Sequence, residues 1–235
     1  MNVPRGLLWN LIMRISYDAL IQLPLLKIIY MKQKNFLDII PDQYTGKEIE
    51  AEASVELKDG NDAVIFYDAA KDRLLNVNRW HHFAGTISAS FHAVDENGKE
   101  ADRNVQKGDY IRVNIPGPGS KEGDGYDWVI IEELKEVSNG DIQSIGFRVR
   151  PAANPFGDQK KIAHFYDDSS TSNFIVTREG TKVTASIIDR NATPNDNVES
   201  MTDKIRNTAV GMSAIASFSK IQWQSLANGL VERKK

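Results

Sequence analysis

A chain of 235 residues with 41% hydrophobic and 26% charged residues fits one globular domain large enough to bury a core. Its formal net charge of −3, with acids and bases mixed along the chain, leaves no basic face for nucleic acid. The absence of cysteine excludes disulfides, thiolate metal sites and cysteine nucleophiles, and agrees with a cytoplasmic setting.

Residues 1–31 stand apart from the rest. Leu7, Leu8, Leu11, Ile12 and Ile15 form a helical stripe, but Arg14, Asp18 and Lys27 interrupt the apolar run and Pro24 breaks it. A membrane span needs about 20 nearly uninterrupted apolar residues, and no small-residue cleavage site marks a signal peptide. The segment is expected to be an amphipathic extra outside the fold, or upstream sequence read from too early a start. Contact with a membrane is expected only in the first case. Residues 32–235 are expected to form a single domain.

The first strand is expected at 48–57, where Ile49, Ala51, Ala53, Val55 and Leu57 alternate with Glu48, Glu50, Glu52, Ser54 and Glu56. After a turn at 58–61, Val64, Ile65, Tyr67, Ala70, Leu74 and Leu75 fit two short helices over 62–78. From Gly85 the chain reads as strands. Ile87, Ala89, Phe91 and Ala93 share one face, a turn at 95–98 follows, and Ile111, Val113 and Ile115 share a face of the next strand. A Gly/Pro-rich loop at 116–125 leads into a strand at 126–135, and Asn139-Gly140 turns the chain into the strand bearing Ile145, Phe147 and Val149. Beyond a polar loop at 151–159, residues 161–172 have room for a short strand. The last pair falls at 173–177 and 182–189, the second carrying Val183, Ala185 and Ile187 on one face.

The closing stretch, 200–232, reads as a long helix. Ile205, Ala209, Met212, Ala216, Trp223, Leu226 and Leu230 recur at three- and four-residue steps, so one stripe must be buried against something broad. Short turns make the neighbouring strands antiparallel, and each strand has one apolar face. The expectation is an α+β fold: a curved antiparallel sheet of about seven strands gripping the long C-terminal helix, with two short helices after the first strand.

This order of elements, the passage from Asn78 to Gly85 and the long closing helix resemble the helix-grip superfamily of START-like, polyketide-cyclase-like and birch-pollen-allergen-like proteins, over 49–230. In that superfamily a tryptophan-bearing turn often follows the short helices, and Trp80 looks like its counterpart. The resemblance implies a cavity between sheet and helix. The loops at 116–125 and 151–159 and the first 31 residues depart from the pattern.

No catalytic motif stands in the chain. His81 and His82 diverge in direction, and with His92 and His164 the only other histidines, no metal site is expected. The 116–125 loop lacks P-loop spacing and reads as a hairpin end at the cavity mouth, with a part in ligand access. The acid-containing loops at 167–172 and 189–199 read as solvated turns. Arg112, Arg148 and Arg150 fall on the polar phase and are expected to pair across strands with acids such as the glutamates of the first strand.

The expected function is binding of a hydrophobic or amphipathic small molecule, without a cofactor. Trp80, Phe91, Ile111, Val113, Trp128, Phe147, Val149, Ile187, Met212 and Ile215 would form the site. One alternative is a cyclase, dehydratase or hydrolase, which needs a titratable side chain such as His82, His164 or Tyr166 inside the cavity. Another is an interaction module whose interior is filled by its own side chains.

Overall fold

The computed structural model describes residues 35–84, 89–115, 120–195 and 209–233, with the side chains of the last helix from 217 onward. The expected amphipathic segment at 1–31, the start of the expected strand at 85–88 and residues 200–208 of the expected helix lie outside the described residues. Residues 39–235 belong to one compact unit.

The chain runs β1 (Lys47–Glu56), α1 (Gly60–Leu75), one 3-10 turn (Val77–Arg79), α2 (Trp80–Phe83), β2 (Ser90–Val94), β3 (Tyr110–Asn114), β4 (Asp127–Asn139), β5 (Ile142–Pro151), β6 (Thr171–Glu179), β7 (Lys182–Ala192) and α3 (Ala209–Leu230). The strands form one curved antiparallel sheet of order β1-β7-β6-β5-β4-β3-β2, an arrangement consistent with a helix-grip fold. Each step from β2 to β7 is between sequence neighbours, and only β1 crosses to pair with β7. The expected strand at 161–172 resolves into isolated bridges, Ala153 with Ile162 and Tyr166 with Pro194. β6 and β7 run beyond their expected ends, to Glu179 and Ala192.

One face of the sheet carries the core. Phe91, Ile111, Ile131, Phe147, Phe174 and Ile187 are buried together with Leu226, Ala227 and Leu230 of α3. The helix therefore lies on the apolar face of the sheet. Each of the two leucines, 0% exposed, contributes about 1.5–3 kcal/mol by leaving water. The α3 backbone comes close to α2, since a Cβ on Gly229 would fall 1.8 Å from the Phe83 carbonyl oxygen. Ser225 Oγ donates to the Ala84 carbonyl at 2.5 Å beside it.

Side chains from neighbouring elements complete the ends of the two long helices. Arg73 of α1 donates from Nη1 to the carbonyls of Leu230 and Glu232, at 3.0 and 2.9 Å, where α3 runs out of internal donors. The Trp80 indole N–H is shared by the carbonyls of Arg73 and Leu74 at the end of α1, at 3.2 and 3.1 Å. Asp59 caps the start of α1 by accepting the Asp62 backbone N–H at 3.0 Å.

α3 also covers the edge strand. Gln224 Nε2 donates to the Glu52 carbonyl at 2.8 Å, and Lys220 Nζ and Arg233 Nη2 donate to the carbonyls of Glu50 and Glu56. These three carbonyls point away from β7, so the helix side chains bond what a further strand would otherwise take.

The arginines do not find the β1 glutamates. Arg148 and Arg150 both reach Glu132, Nε to carboxylate at 2.9 and 2.5 Å, and Arg112 pairs with Glu100 at 2.9 Å. A bulge between Ile131 and Glu133 is responsible for the first two: the ladder steps over Glu132, so its carboxylate reaches both arginines of β5. The β1 glutamates face β7 instead, where Arg190 pairs with Glu48 at 3.4 Å and Glu50 at 2.9 Å.

Candidate functional site

Between the sheet and α3 lies a cavity of about 70 Å3. Its walls are mainly apolar. Trp80, Phe91, Phe174 and Trp223 form a run of rings around it, with centroids 5.0 Å apart for Trp80 and Phe91, 4.9 Å for Trp80 and Phe174, and 5.2 Å for Phe174 and Trp223. Ile111, Val113, Val129 and Val149 complete the sheet side, and Phe218, 40% exposed, lines it from α3.

One part of the wall is polar: His164, Tyr166, Asp189, Ser219 and Gln222, all buried, and Ser172, which is half-buried. Asp189 is the centre of it. β7 reaches it in the same phase as Val183, Ala185 and Ile187, opposite Ile49 of β1, so its carboxylate is 2% exposed. Oδ2 accepts the Trp223 indole N–H at 2.9 Å. Burial pushes the Asp189 carboxyl up to about 6, against the pull of Ser172, Trp223 and Arg190. Ser172 lowers it by a side-chain hydrogen bond to the carboxylate, while Oδ1 has no partner among the described residues.

His164 and Tyr166 come from the irregular segment between β5 and β6. Its backbone is stitched on two sides: the Trp128 N–H donates to the Ala163 carbonyl at 2.8 Å, and the Asn195 N–H to the Phe165 carbonyl at 2.9 Å. Asp127 holds it from β4 by accepting the Phe165 backbone N–H, and burial pushes that carboxyl up to about 7. The Tyr166 N–H donates to His164 Nδ1 at 2.9 Å, so the ring nitrogen there is unprotonated and the neutral ring carries its proton on Nε2. Burial pushes His164 down to about 3 and keeps it neutral. Burial, with the nearby Asp189 charge, pushes the Tyr166 hydroxyl up, and Ser219 is its hydrogen-bond partner.

Of the ten expected wall residues, Trp80, Phe91, Ile111, Val113 and Val149 border the cavity. Phe147 and Ile187 lie in the surrounding core without bordering it. Trp128 is not at the cavity. It packs with Val94 and Ala163, and its indole N–H donates to the Gly123 carbonyl at 3.2 Å, because β4 turns Trp128 to the face opposite Val129 and Ile131. Met212 and Ile215 lie outside the described side chains, and 116–119 of the expected access loop lie outside the described residues. The described part, 120–125, is a tight turn in which the Gly125 N–H donates to the Ser120 carbonyl at 2.8 Å.

Asp189 corrects the expectation of a solvated turn from 189 onward, since the strand continues through it. The strand expected at 182–189 already includes Asp189, on the phase of Val183, Ala185 and Ile187, but Ile188 and Asp189 break the apolar alternation there. The sequence offers His164 and Tyr166 as candidates, but nothing in their spacing places them at the cavity. His81 and His82 sit on α2 with ring centroids 3.8 Å apart and both exposed. No group of three metal-binding side chains occurs among the described residues. No described helix is long and apolar enough to cross a membrane.

No protein-family model and no curated protein matches the chain. Among solved structures, the hypothetical protein jhp0584 from Helicobacter pylori is similar at 10% identity and a TM-score of 0.45, over 78% of this chain and 87% of that one. Ara h 8.0201 is similar at 14% identity and a TM-score of 0.31, over 77% of this chain and all of the other, 100%. Truncated norcoclaurine synthase from Thalictrum flavum is similar at 10% identity and a TM-score of 0.33, over 83% and 100%. The last two are birch-pollen-allergen-like proteins of the helix-grip fold, and at these scores the likenesses carry no argument about what this chain does.

Proposed function

We propose that the chain binds a small amphipathic molecule between its sheet and α3. The observation that supports this most is the cavity itself: apolar and aromatic over most of its wall, with polar side chains gathered around Asp189. Such a wall takes an apolar body by burial, at about 25 cal/mol per Å2, and fixes its orientation by a few polar contacts. A dry cavity of about 150 Å3 is enough for benzene, so about 70 Å3 suits a body of only a few non-hydrogen atoms.

The test is a panel of short-chain alcohols, amines, carboxylates and small aromatics, read by thermal shift and by NMR of the Trp80 and Trp223 indoles. Binding raises the melting temperature and moves those indole resonances. A panel that moves neither leaves an interior that only its own side chains fill, and the proposal falls.

A second reading, an acid–base enzyme on the same cavity, draws on Asp189, whose carboxyl at about 6 lies in the range where a group both gives and takes protons near neutrality. Its mark is turnover that disappears in Asp189→Asn while binding remains.

A further inference from the structure

We propose that the polar end of the ligand is an ammonium group, seated against the Asp189 carboxylate. This rests on the binding reading above and names the class of ligand for that cavity.

Asp189 is a buried acid whose charge has no pairing cation among the described residues. The nearest candidate is its neighbour Arg190, but that guanidinium is on the other face of β7 and is held by Glu48 and Glu50. Among the described residues, the polar and aromatic side chains that border the cavity beside the carboxylate are neutral: Trp223, Ser219 and Gln222 from α3, Ser172 from β6, and Tyr166 and His164 from the segment before β6. Tyr166 and His164 are both held neutral by burial, so neither supplies a charge. The indole donates to Oδ2 and Ser172 also bonds the carboxylate, while Oδ1 has no hydrogen bond among the described residues. A buried carboxylate with an orphaned oxygen is costly, and a bound N–H+ donor relieves both the charge and the missing hydrogen bond.

The rest of the wall suits the same partner. Trp80, Phe91, Phe174 and Trp223 border the cavity, and aromatic faces attract cations where water is excluded. An anionic end group would meet Asp189 as a like charge, with no basic side chain of the described residues bordering the cavity to offset it. A hydroxyl could bond Oδ1 but would leave the charge unpaired. An ammonium on a short alkyl chain matches the carboxylate, the rings and the size of the space together.

The experiment titrates the full chain at pH 8 with three isosteric probes, n-butylammonium, 1-butanol and butyrate, following the Trp223 indole N–H by NMR. Butylammonium is expected to bind at least tenfold more tightly than butanol, and butyrate most weakly. Asp189→Asn is expected to bring the amine to within about twofold of the alcohol. Should that variant not fold, the wild-type chain decides by pH. The amine stays charged from pH 8 to 5, so its advantage over the alcohol must shrink as the carboxyl takes up its proton. Butanol or butyrate binding as tightly as the amine overturns the ammonium assignment and leaves the amphipathic-ligand reading standing. An advantage that survives Asp189→Asn or the acid end of the pH series overturns it as well. If none of the probes binds, the ammonium assignment falls, and the wider panel above decides the amphipathic-ligand reading.

Discussion

Asp127 shows how one buried carboxyl ties loop geometry to pH. Its ordinary pKa is near 4, and in the folded chain burial carries it to about 7 despite the Phe165 N–H that it accepts. The folded state therefore holds a proton that the unfolded chain has released, and the contribution to stability falls as pH rises from about 4 to about 7, then levels off. Asp127→Asn keeps an acceptor for Phe165 and removes the titration. It is expected to match the wild-type chain at pH 4 and to exceed it at pH 8, by on the order of a few kcal/mol in urea denaturation. Equal stabilities at pH 8 would place the titration elsewhere. His164 works in the opposite sense: with its folded pKa lowered to about 3, stability is lost as pH falls from about 6.5 toward 3. Because both chains share His164 and Asp189, their difference isolates Asp127. At this scale the sequence is legible where a residue's phase continues a pattern, as for Phe91, Ile111 and Val149. It is not legible where a side chain's place depends on a distant segment, as for His164 and Tyr166, whose loop is fixed by Asp127 and Asn195.

Among the elements, α3 bears the most consequences. Gly229 has no room for a side chain against α2, so Gly229→Ala is expected to cost about 1–3 kcal/mol by forcing the two backbones apart. Leu230→Ala, at a fully buried position, is expected to cost about 2–5 kcal/mol. Thermal or chemical denaturation measures both, and a Gly229→Ala chain as stable as wild type would mean that the helices slide apart without cost. The strands were readable from their alternation, and β1, β3, β5 and β7 show it with the least error. Trp128 lies away from its expected place at the cavity for a related reason: a tryptophan beside Val129 and Ile131 looks like part of a buried run, but pleating sends it to the other face. The bulge at Glu132 was equally hidden. It appears only when β4 is paired with β5, and it restores Leu134 to the inner face three residues after Ile131.

For the molecule as a whole, the order of elements was enough to suggest the sheet and the helix on it, because tight turns leave antiparallel pairing as the local choice. The one long-range pairing, β1 with β7, was not written in any turn, and it decided which charges meet. For that reason the β1 glutamates pair with Arg190 and not with Arg112, Arg148 or Arg150. The cavity is likewise a property of the assembled whole, bordered by side chains from α2, six of the seven strands' neighbourhood and α3, so no single segment announces it.

The bonds from Lys220, Gln224 and Arg233 to the β1 carbonyls make α3 a guard against self-association as well as one wall of a chamber. If cargo entered by the helix swinging outward, each visit would bare a row of acceptors to passing chains, so admission should instead come from side chains such as Phe218 turning aside. Replacing Lys220 and Gln224 together by alanine is expected to hasten oligomer growth on mild heating, followed by light scattering. Unchanged scattering would mean that the acid-lined rim of the outermost strand repels newcomers unaided.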